Sequence, residues 1–251
     1  MADIEIEQVE GVLRIRINRP AKRNALTVAM YLAMADAIEA AGADPSIGCI
    51  LIHAEGDIFT AGNDIADFLD RPPGPEEDGV IRFLKCLVSA RKPLIAAVRG
   101  DAIGVGATLL LHCDLVVAGE SSMFRSPFTD LGLVPEAGST YLLPLMVGYR
   151  HAASLLMLGD PWTAADALTA GLVSHVCLDT AVLDVAEGLA DRLAAKPATA
   201  VVATKELLRS GFREATLQQM EREAIAFAEA VKSDATREIF RRFLQRSSSS
   251  A

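Results

Sequence analysis

The chain has 251 residues, of which 51% are hydrophobic, and this suits one large α/β domain or one domain with a helical appendage. Its 33 acidic and 24 basic residues give a net charge of −9, which argues against a nucleic-acid partner because such a partner requires a basic surface. The most apolar region, residues 93–118, is interrupted by charged residues, so we expect a core segment and no membrane insertion.

Cysteine usage and the amino-terminal segment indicate the compartment. Cys49, Cys86, Cys113 and Cys177 are far apart in the sequence and have apolar neighbours, as is typical of buried free thiols in a reducing compartment. The acidic segment "MADIEIEQVEG" lacks the apolar stretch of a signal peptide. We therefore expect a cytoplasmic protein.

The first third of the chain predicts alternating strands and helices. The stretch "IEIEQVEGVLRIRINRP" alternates with period two around Gly11, which predicts a β-hairpin. Thr27 is typical of the N-cap of a helix, which we expect to run to about residue 41. The run "IGCILIHAEG" predicts a strand buried on both faces. The proline-rich "LDRPPGPEEDG" predicts a surface loop before a helix over about 76–90.

The same alternation continues through the rest of the chain. The runs "KPLIAAVRG" and "DLVVAGE" predict two more buried strands, and "GVGATLLLHC" between them is typical of a strand-to-helix turn. "TAADALTAG" begins with a capping box, in which Thr163 and Asp166 cap each other's backbone. From about residue 180 to about residue 246 the pattern is helical. Strands alternating with helices predict an α/β architecture.

Two glycine-bearing turns are the first candidates for a functional site. In "FTAGNDI", small residues precede Asn63, and they would allow its backbone amide to approach a ligand closely. In "GDAIGVGATLL", a glycine-rich turn opens an apolar helix, whose first amides favour negative charge. It matches neither a P-loop nor a dinucleotide fingerprint. Taken singly, an ordinary turn and tight helix–strand packing are the alternatives.

Taken together, the two turns indicate a more specific chemistry. If the amides of Asn63 and Val105 converge on one oxygen atom, they form an oxyanion hole, in which one donor lowers a reaction barrier by roughly 3–4 kcal/mol. The four histidines, at positions 53, 112, 151 and 175, show no ligand spacing, so we expect no metal.

Four blocks of the sequence resemble the crotonase superfamily, the enoyl-CoA hydratases and isomerases: "FTAGNDI", "KPLIAAVRGDAIGVGATLLLHCDLVVAGE", "LGLVPEAGSTYLLPLMVG" and "GDPWTAADALTAGLVSHV". The likeness runs in order from about residue 10 to 210. It implies an α/β fold with a ββα-spiral core and an acyl-CoA site in residues 1–190. It implies a C-terminal helical trimerisation region in 191–251, whose last residues we expect to be disordered, and a homotrimer or dimer of trimers. It also implies that the amides of Asn63 and Val105 hold the thioester carbonyl.

The chain departs from the hydratase pattern at two catalytic positions. Where hydratases have two glutamates, it has Thr108 and Phe128, neither of which can act as an acid or base. In contrast, "LGLVPEAGST", "GND" and Thr108 resemble the peroxisomal type of Δ3,Δ2-enoyl-CoA isomerase. That resemblance implies that Glu136 is the lone catalytic glutamate. A carboxylate that caps the following helix is the alternative for Glu136, and we expect Asp130 to be a surface or capping acid.

The resemblance also implies where coenzyme A binds. The family binds its nucleotide end near the turn before the first helix, partly through the backbone of Ala25 and Leu26, and Arg23 would meet a phosphate. The substrate-binding residues expected from the first glycine turn are Ala61, Gly62, Asp64 and Ile65. A solvated turn is the alternative for Arg23, and a structural cap is the alternative for Asp64.

The function expected from these residues is isomerisation of 3-enoyl-CoA to 2-enoyl-CoA through one glutamate. The reaction needs no cofactor, since coenzyme A enters as part of the substrate. Two alternatives stay open: a hydratase-like enzyme with other CoA-thioester chemistry, and an acyl-CoA-binding subunit without catalysis.

Overall fold

The computed structural model describes residues 2–66 and 79–248, with side chains described as far as residue 242. The proline-rich loop predicted over 69–79 lies almost entirely outside these residues. The strands are β1 (Ile4–Val9), β2 (Val12–Ile17), β3 (Cys49–Ala54), β4 (Leu94–Val98), β5 (Ala102–Ile103), β6 (Leu115–Gly119), β7 (Met123–Arg125), β8 (Trp162–Thr163) and β9 (His175–Cys177). The helices are α1 (Val28–Ala43), α2 (Gly79–Ser89), α3 (Val105–Thr108), α4 (Ser139–Val147), α5 (Tyr149–Ala153), α6 (Ala164–Ala170), α7 (Val182–Ala194), α8 (Ala198–Ser210), α9 (Arg213–Lys232) and α10 (Asp234–Ser248).

The main sheet has the strand order β1-β2-β3-β4-β6-β9. The first two strands form the predicted antiparallel hairpin, and every further pair is parallel. The loops that leave the carboxyl ends of parallel strands meet at one edge of a sheet, where ligands bind in open α/β folds. The two glycine turns follow β3 and β4, and so both lie at this edge.

Both faces of this sheet are covered, which explains the unbroken apolar runs of its central strands. Because side chains alternate along a strand, Ile50 and Ile52 face the core formed with α1 and α2. Cys49 and Leu51 face the opposite cluster, formed with α7. Full burial of such a side chain contributes roughly 1.5–3 kcal/mol to folding.

The two predicted N-cap residues, Thr27 and Thr163, do precede the first turns of their helices. The Thr27 side chain accepts a hydrogen bond from the Met30 N–H, and α1 follows it directly. Thr163 and Asp166 form the reciprocal capping box that opens α6. These bonds satisfy amides that a helix leaves unpaired in its first turn.

A second, smaller sheet was not predicted. It has the order β5-β7-β8, and its first strand is only two residues long. An isolated bridge joins Thr60 to Ala102, so the glycine turn after β3 is tied to this small sheet.

The carboxyl-terminal helices divide into two groups by their contacts. The predicted boundary at residue 190 falls inside α7, which packs on the main sheet. Helix α8 is anchored by Lys205, whose Nζ lies 2.7 Å from Asp114 Oδ2, at the start of β6. Helices α9 and α10 contribute Phe227 and Phe240 to a separate apolar cluster. Among the helices described, none has the length and apolar character needed to cross a membrane.

Candidate active site

Three chain segments are joined edge to edge by backbone hydrogen bonds at the site. The Leu26 N–H donates to the Gly62 carbonyl at 2.8 Å, and the Asp64 N–H donates to the Leu26 carbonyl at 2.8 Å. On the other side of the same turn, the Ile103 N–H donates to the Thr60 carbonyl at 3.0 Å. The turn after β3 therefore lies between the turn before α1 and the turn after β4.

This arrangement directs the amides of the predicted oxyanion hole. Successive peptide groups of an extended segment point to opposite sides, so the Asn63 N–H points away from Leu26. Val105 is the first residue of α3, where an amide has no partner within its own helix. Within residues 2–66 and 79–248, neither main-chain amide has a hydrogen-bond acceptor.

Glycines allow the two turns to approach each other. Gly62 has φ +90°, and a Cβ at this position would lie 2.9 Å from the Ile103 carbonyl oxygen. A Cβ at Gly106 would lie 2.4 Å from Thr60 Cγ2. Both distances are shorter than a carbon atom tolerates, so the small residues in the two sequence blocks have a packing reason.

The side chain of Asn63 is held from a distant helix. The Tyr31 hydroxyl donates to Asn63 Oδ1 at 2.5 Å, and Tyr31 is fully buried in α1. This bond fixes the turn after β3 against the core. In the sequence, Tyr31 is distinguished only by its place in the helix predicted to begin after Thr27.

Glu136 points inward. Only 9% of its surface is exposed, and the Thr108 hydroxyl lies 3.4 Å from its Oε1 atom. Thr108 is three residues after Val105 in α3, which is roughly 4.5 Å along a helix axis. The acid therefore lies beside the helix whose first amide is one of the two predicted oxyanion donors.

The capping function proposed as the alternative for Glu136 is carried by another residue. Glu223, from α9, accepts hydrogen bonds from the Gly138 N–H at 2.6 Å and from the Thr140 N–H at 3.0 Å. These amides are at the start of α4, where a carboxylate is favourable. The Glu136 side chain is thus not needed as the cap of α4.

The backbone next to Glu136 is unusual. Ala137 has φ +64° and Gly138 has φ +68°. A left-handed conformation costs a residue with a Cβ atom about 1–2 kcal/mol, so surrounding contacts must hold Ala137 in place. One such contact is the hydrogen bond between His112 Nε2 and the Ala137 carbonyl, at 2.8 Å.

His112 is buried and neutral. Burial lowers its pKa from 6.5 to about 4, and the bond to Ala137 opposes that change. Since a carbonyl accepts, Nε2 must carry the proton of the neutral ring.

The pKa of His112 predicts how stability depends on pH. The unfolded chain binds a proton below about pH 6.5, whereas the folded chain binds it only below about pH 4. The free energy of unfolding should therefore fall as pH drops from about 6.5 to about 4, by on the order of 3 kcal/mol for this group. The free energy of unfolding, measured with urea at pH 7 and at pH 4.5, should fall less between these two pH values for His112→Gln than for the wild type. Equal losses would contradict the prediction, since His53, with a pKa also lowered to about 4, is the same in both proteins.

The remaining predicted residues lie around this centre in different roles. Arg19 forms an ion pair with Asp64 at 2.7 Å, and Asp64 also accepts from the Ala66 N–H, as a structural cap would. Arg23 is more than half exposed and lies 3.5 Å from Asp101. Ile65 packs against the apolar cluster of Phe128 and the carboxyl-terminal helices.

The amides of the turn before α1 are already occupied. The Ala25 N–H donates to the Lys22 carbonyl, and the Leu26 N–H donates to the Gly62 carbonyl. Any main-chain contact with a nucleotide at these two residues would therefore use their carbonyl oxygens as acceptors. Asn24, which sequence reasoning missed, holds this turn through the carbonyls of Glu55 and Ile58.

The structure also locates Asp130 and Phe128, the other two residues considered in the sequence analysis. Asp130 is at the surface, 2.8 Å from Arg125, as expected. Phe128 is buried in the apolar cluster with Leu133 and Phe227. At the two positions where the resemblance implies glutamates in a hydratase, this chain therefore has the hydroxyl of Thr108, beside Glu136, and the apolar side chain of Phe128. In the described part of the chain, no three metal-ligating side chains lie together.

Besides Asn24, sequence reasoning missed three residues that hold the site: Glu223, Tyr31 and Arg19. Glu223 lies in an amphipathic helix with many charges, and no local pattern distinguishes it. Tyr31 and Arg19 contact Asn63 and Asp64, which are 32 and 45 positions away in the sequence, respectively, and local sequence gives no signal for such contacts.

The chain matches a known protein family and several named relatives. Residues 7–250 match the family described as enoyl-CoA hydratase/isomerase. The chain is 35% identical to enoyl-CoA delta isomerase 2 of Homo sapiens, a match that covers 82% of this chain but only 54% of that protein. It is 36% identical to 2,3-dehydroadipyl-CoA hydratase of Escherichia coli, with 87% of this chain and 86% of that protein covered.

A solved structure shows the same fold over the whole length. An enoyl-CoA hydratase/isomerase from Pseudoalteromonas atlantica T6c superposes with a TM-score of 0.94 at 40% identity, covering 98% of each chain. The chain therefore belongs to the enoyl-CoA hydratase/isomerase family and has the crotonase fold that its sequence resembles.

Proposed function

We propose that the protein isomerises 3-enoyl-CoA to 2-enoyl-CoA, with Glu136 as the base and acid and the amides of Asn63 and Val105 as oxyanion donors. The observation that carries this proposal is the inward position of Glu136 beside Thr108, one helical turn from Val105. A single buried carboxylate with no second carboxylate at positions 108 and 128 suits a proton shuttle better than it suits hydration.

The chemistry needs only one acid. The Glu136 carboxylate takes a proton from C2 of the 3-enoyl thioester, and the electron pair of that C–H bond spreads onto the thioester oxygen as a dienolate. The two amides bind that oxygen while it carries charge, and such donors stabilise the transition state more than the ground state. The protonated Glu136 then returns the proton to C4, so the double bond moves from C3–C4 to C2–C3.

Coenzyme A is proposed to lie along the turn before α1. Arg23 is exposed enough to reach a phosphate. The carbonyl oxygens of Ala25 and Leu26 already accept one hydrogen bond each, from Arg19 and from the Asp64 N–H, and their second lone pairs would accept from the amino group of the adenine base. Ala61, Gly62, Asp64 and Ile65 would shape the channel next to the thioester. No further cofactor is required by this reaction, and the cytoplasmic location stays a prediction.

We also propose that three copies, or two such trimers, associate through apolar side chains that a single chain leaves exposed. In the predicted trimerisation region, Leu207 and Leu208 of α8 are each more than 70% exposed. A second group, in α4, α5 and the helical segment Ser154–Leu158, is more than 60% exposed: Leu145, Tyr149, Met157 and Leu158. Large exposed apolar patches mark interaction sites. Sedimentation equilibrium should give three or six times the 26.7 kDa chain mass, and a monomer would contradict the proposal.

The test of the proposed reaction uses two substrates. Purified protein is given a 3-enoyl-CoA and, separately, a 2-enoyl-CoA, with the wild type and Glu136→Gln side by side. Isomerisation that the substitution abolishes supports the proposal. Water addition to the 2-enoyl substrate that survives the substitution supports a hydratase-like enzyme, and the hydratase name of the Escherichia coli relative makes this the second candidate. Tight binding with neither reaction supports a subunit without catalysis.

A further inference from the structure

We propose that Glu223 is a positioning residue, which aims the Glu136 carboxylate by holding the backbone turn that follows it. The inference deepens the proposed function and rests on it in taking Glu136 as the base. Glu223 lies 87 positions further along the chain and acts through the backbone of Gly138 and Thr140.

One face of α9 clamps this turn. Thr216, Gln219, Met220 and Glu223 recur at helical spacing and so lie on the same side of the helix. A Cβ at Gly138 would lie 2.7 Å from Thr216 Cγ2 and 3.4 Å from Met220 Cγ. The Gln219 amide donates to the Thr140 hydroxyl at 2.8 Å, and that hydroxyl donates to Glu223 at 2.5 Å.

The charge of Glu223 is accommodated by the turn itself. Glu223 is 5% exposed, and no Lys or Arg side chain that the structure describes lies within ion-pair distance of it. Burial raises its pKa, and the bonds from Thr140 and Gly138 oppose that rise. The buried negative charge of Glu223 is therefore stabilised by two main-chain amides, the Thr140 hydroxyl and the positive end of α4. The carboxylate needs these donors, and the turn needs the carboxylate to hold its amides.

The held turn is strained at Ala137. Ala137 and Gly138 both have positive φ, and the Ala137 carbonyl is fixed from the other side by His112. His112 binds the carbonyl and Glu223 binds the N–H of one peptide group, the one between Ala137 and Gly138, so this second peptide after Glu136 has little freedom. Without the Glu223 hydrogen bonds, Ala137 would leave its left-handed conformation, and the Glu136 carboxylate would move away from the Thr108 hydroxyl.

The expected result is a loss of rate without a loss of binding. Glu223→Ala should lower kcat for isomerisation about ten- to hundredfold with KM nearly unchanged, because a displacement of about 1 Å is enough for such a loss. Glu223→Gln should recover part of the rate, since its carbonyl oxygen still accepts one bond. In the Glu136→Gln background, Glu223→Ala should lower the residual rate no further, as expected when one residue acts through the other.

A matched control separates this role from general docking of the carboxyl-terminal helices. The Thr236 hydroxyl, on α10, donates to the Gly132 carbonyl at 2.9 Å, close to the same loop but not to the turn. Thr236→Val should lower thermal stability and leave kcat unchanged. If Thr236→Val lowers kcat as much as Glu223→Ala does, the positioning role is overturned.

A crystal structure of Glu223→Ala decides the inference independently of activity. We expect Ala137 to leave the left-handed region and the contact between Thr108 and Glu136 to open. If both are unchanged, the inference is overturned and the proposed function stands. If the wild type does not isomerise, or Glu136→Gln is as active as the wild type, the proposed function fails, and the same crystal structure still shows whether Glu223 holds the turn. Should Glu223→Ala not fold, Glu223→Gln is crystallised in its place.

Discussion

Glu136→Gln is expected to lower kcat for isomerisation by roughly 10²–10⁴-fold, the usual contribution of a positioned acid–base group. Glutamine has nearly the same shape, and its amide can still contact the Thr108 hydroxyl, but it cannot take a proton from C2 of the substrate. KM should change little, because the substitution leaves the proposed coenzyme A contacts intact. The measurement is the initial rate of conjugated enoyl-CoA formation over a range of substrate concentrations.

The control for Glu136→Gln is the second acid of the same stretch. Asp130 is exposed and pairs with Arg125, so Asp130→Asn removes a negative charge six positions away without touching the proposed site. Its kcat should equal that of the wild type. A wild-type rate in Glu136→Gln would show that the base is another residue, and an equal loss in both variants would show a nonspecific effect of charge.

Val105→Pro is expected to lower kcat/KM for isomerisation by at least about 10²–10³-fold, the loss associated with removing one oxyanion donor. Proline removes the main-chain N–H, and its ring places a carbon where the amide hydrogen would meet the thioester oxygen. The fold should tolerate the change, because Val105 is the first residue of α3, a position that proline favours. Gly104, which precedes it, has φ +59° and no Cβ to clash with the ring.

The matched control for this donor is Val105→Ala. Alanine keeps the N–H and removes part of a buried side chain, so it should lower the free energy of unfolding by on the order of 2 kcal/mol without a comparable loss of rate. Circular dichroism checks that both variants are folded before the rates are compared. If Val105→Pro is as active as Val105→Ala, the amide of Val105 does not stabilise the dienolate.

Residues that act through local patterns were predictable from the sequence. The hairpin around Gly11 and the caps at Thr27 and Thr163 depend on neighbours a few positions away, and the structure has each of them. The strand over Cys49–Ala54 was predicted as buried on both faces because its apolar run is unbroken, and helices do cover both faces. The family was also predictable, because four ordered blocks carry it.

The sequence by itself therefore determined the family, the order of the main elements and a short set of candidate residues. It left Glu136 with two interpretations, a cap or an acid at the site. Only the tertiary structure assigned the cap of α4, which comes from Glu223, and the hydroxyl beside Glu136, which comes from Thr108; these residues are 85 and 28 positions from their partners. Such contacts have no signal in local sequence, because they form only when the packing of distant helices brings the two segments together.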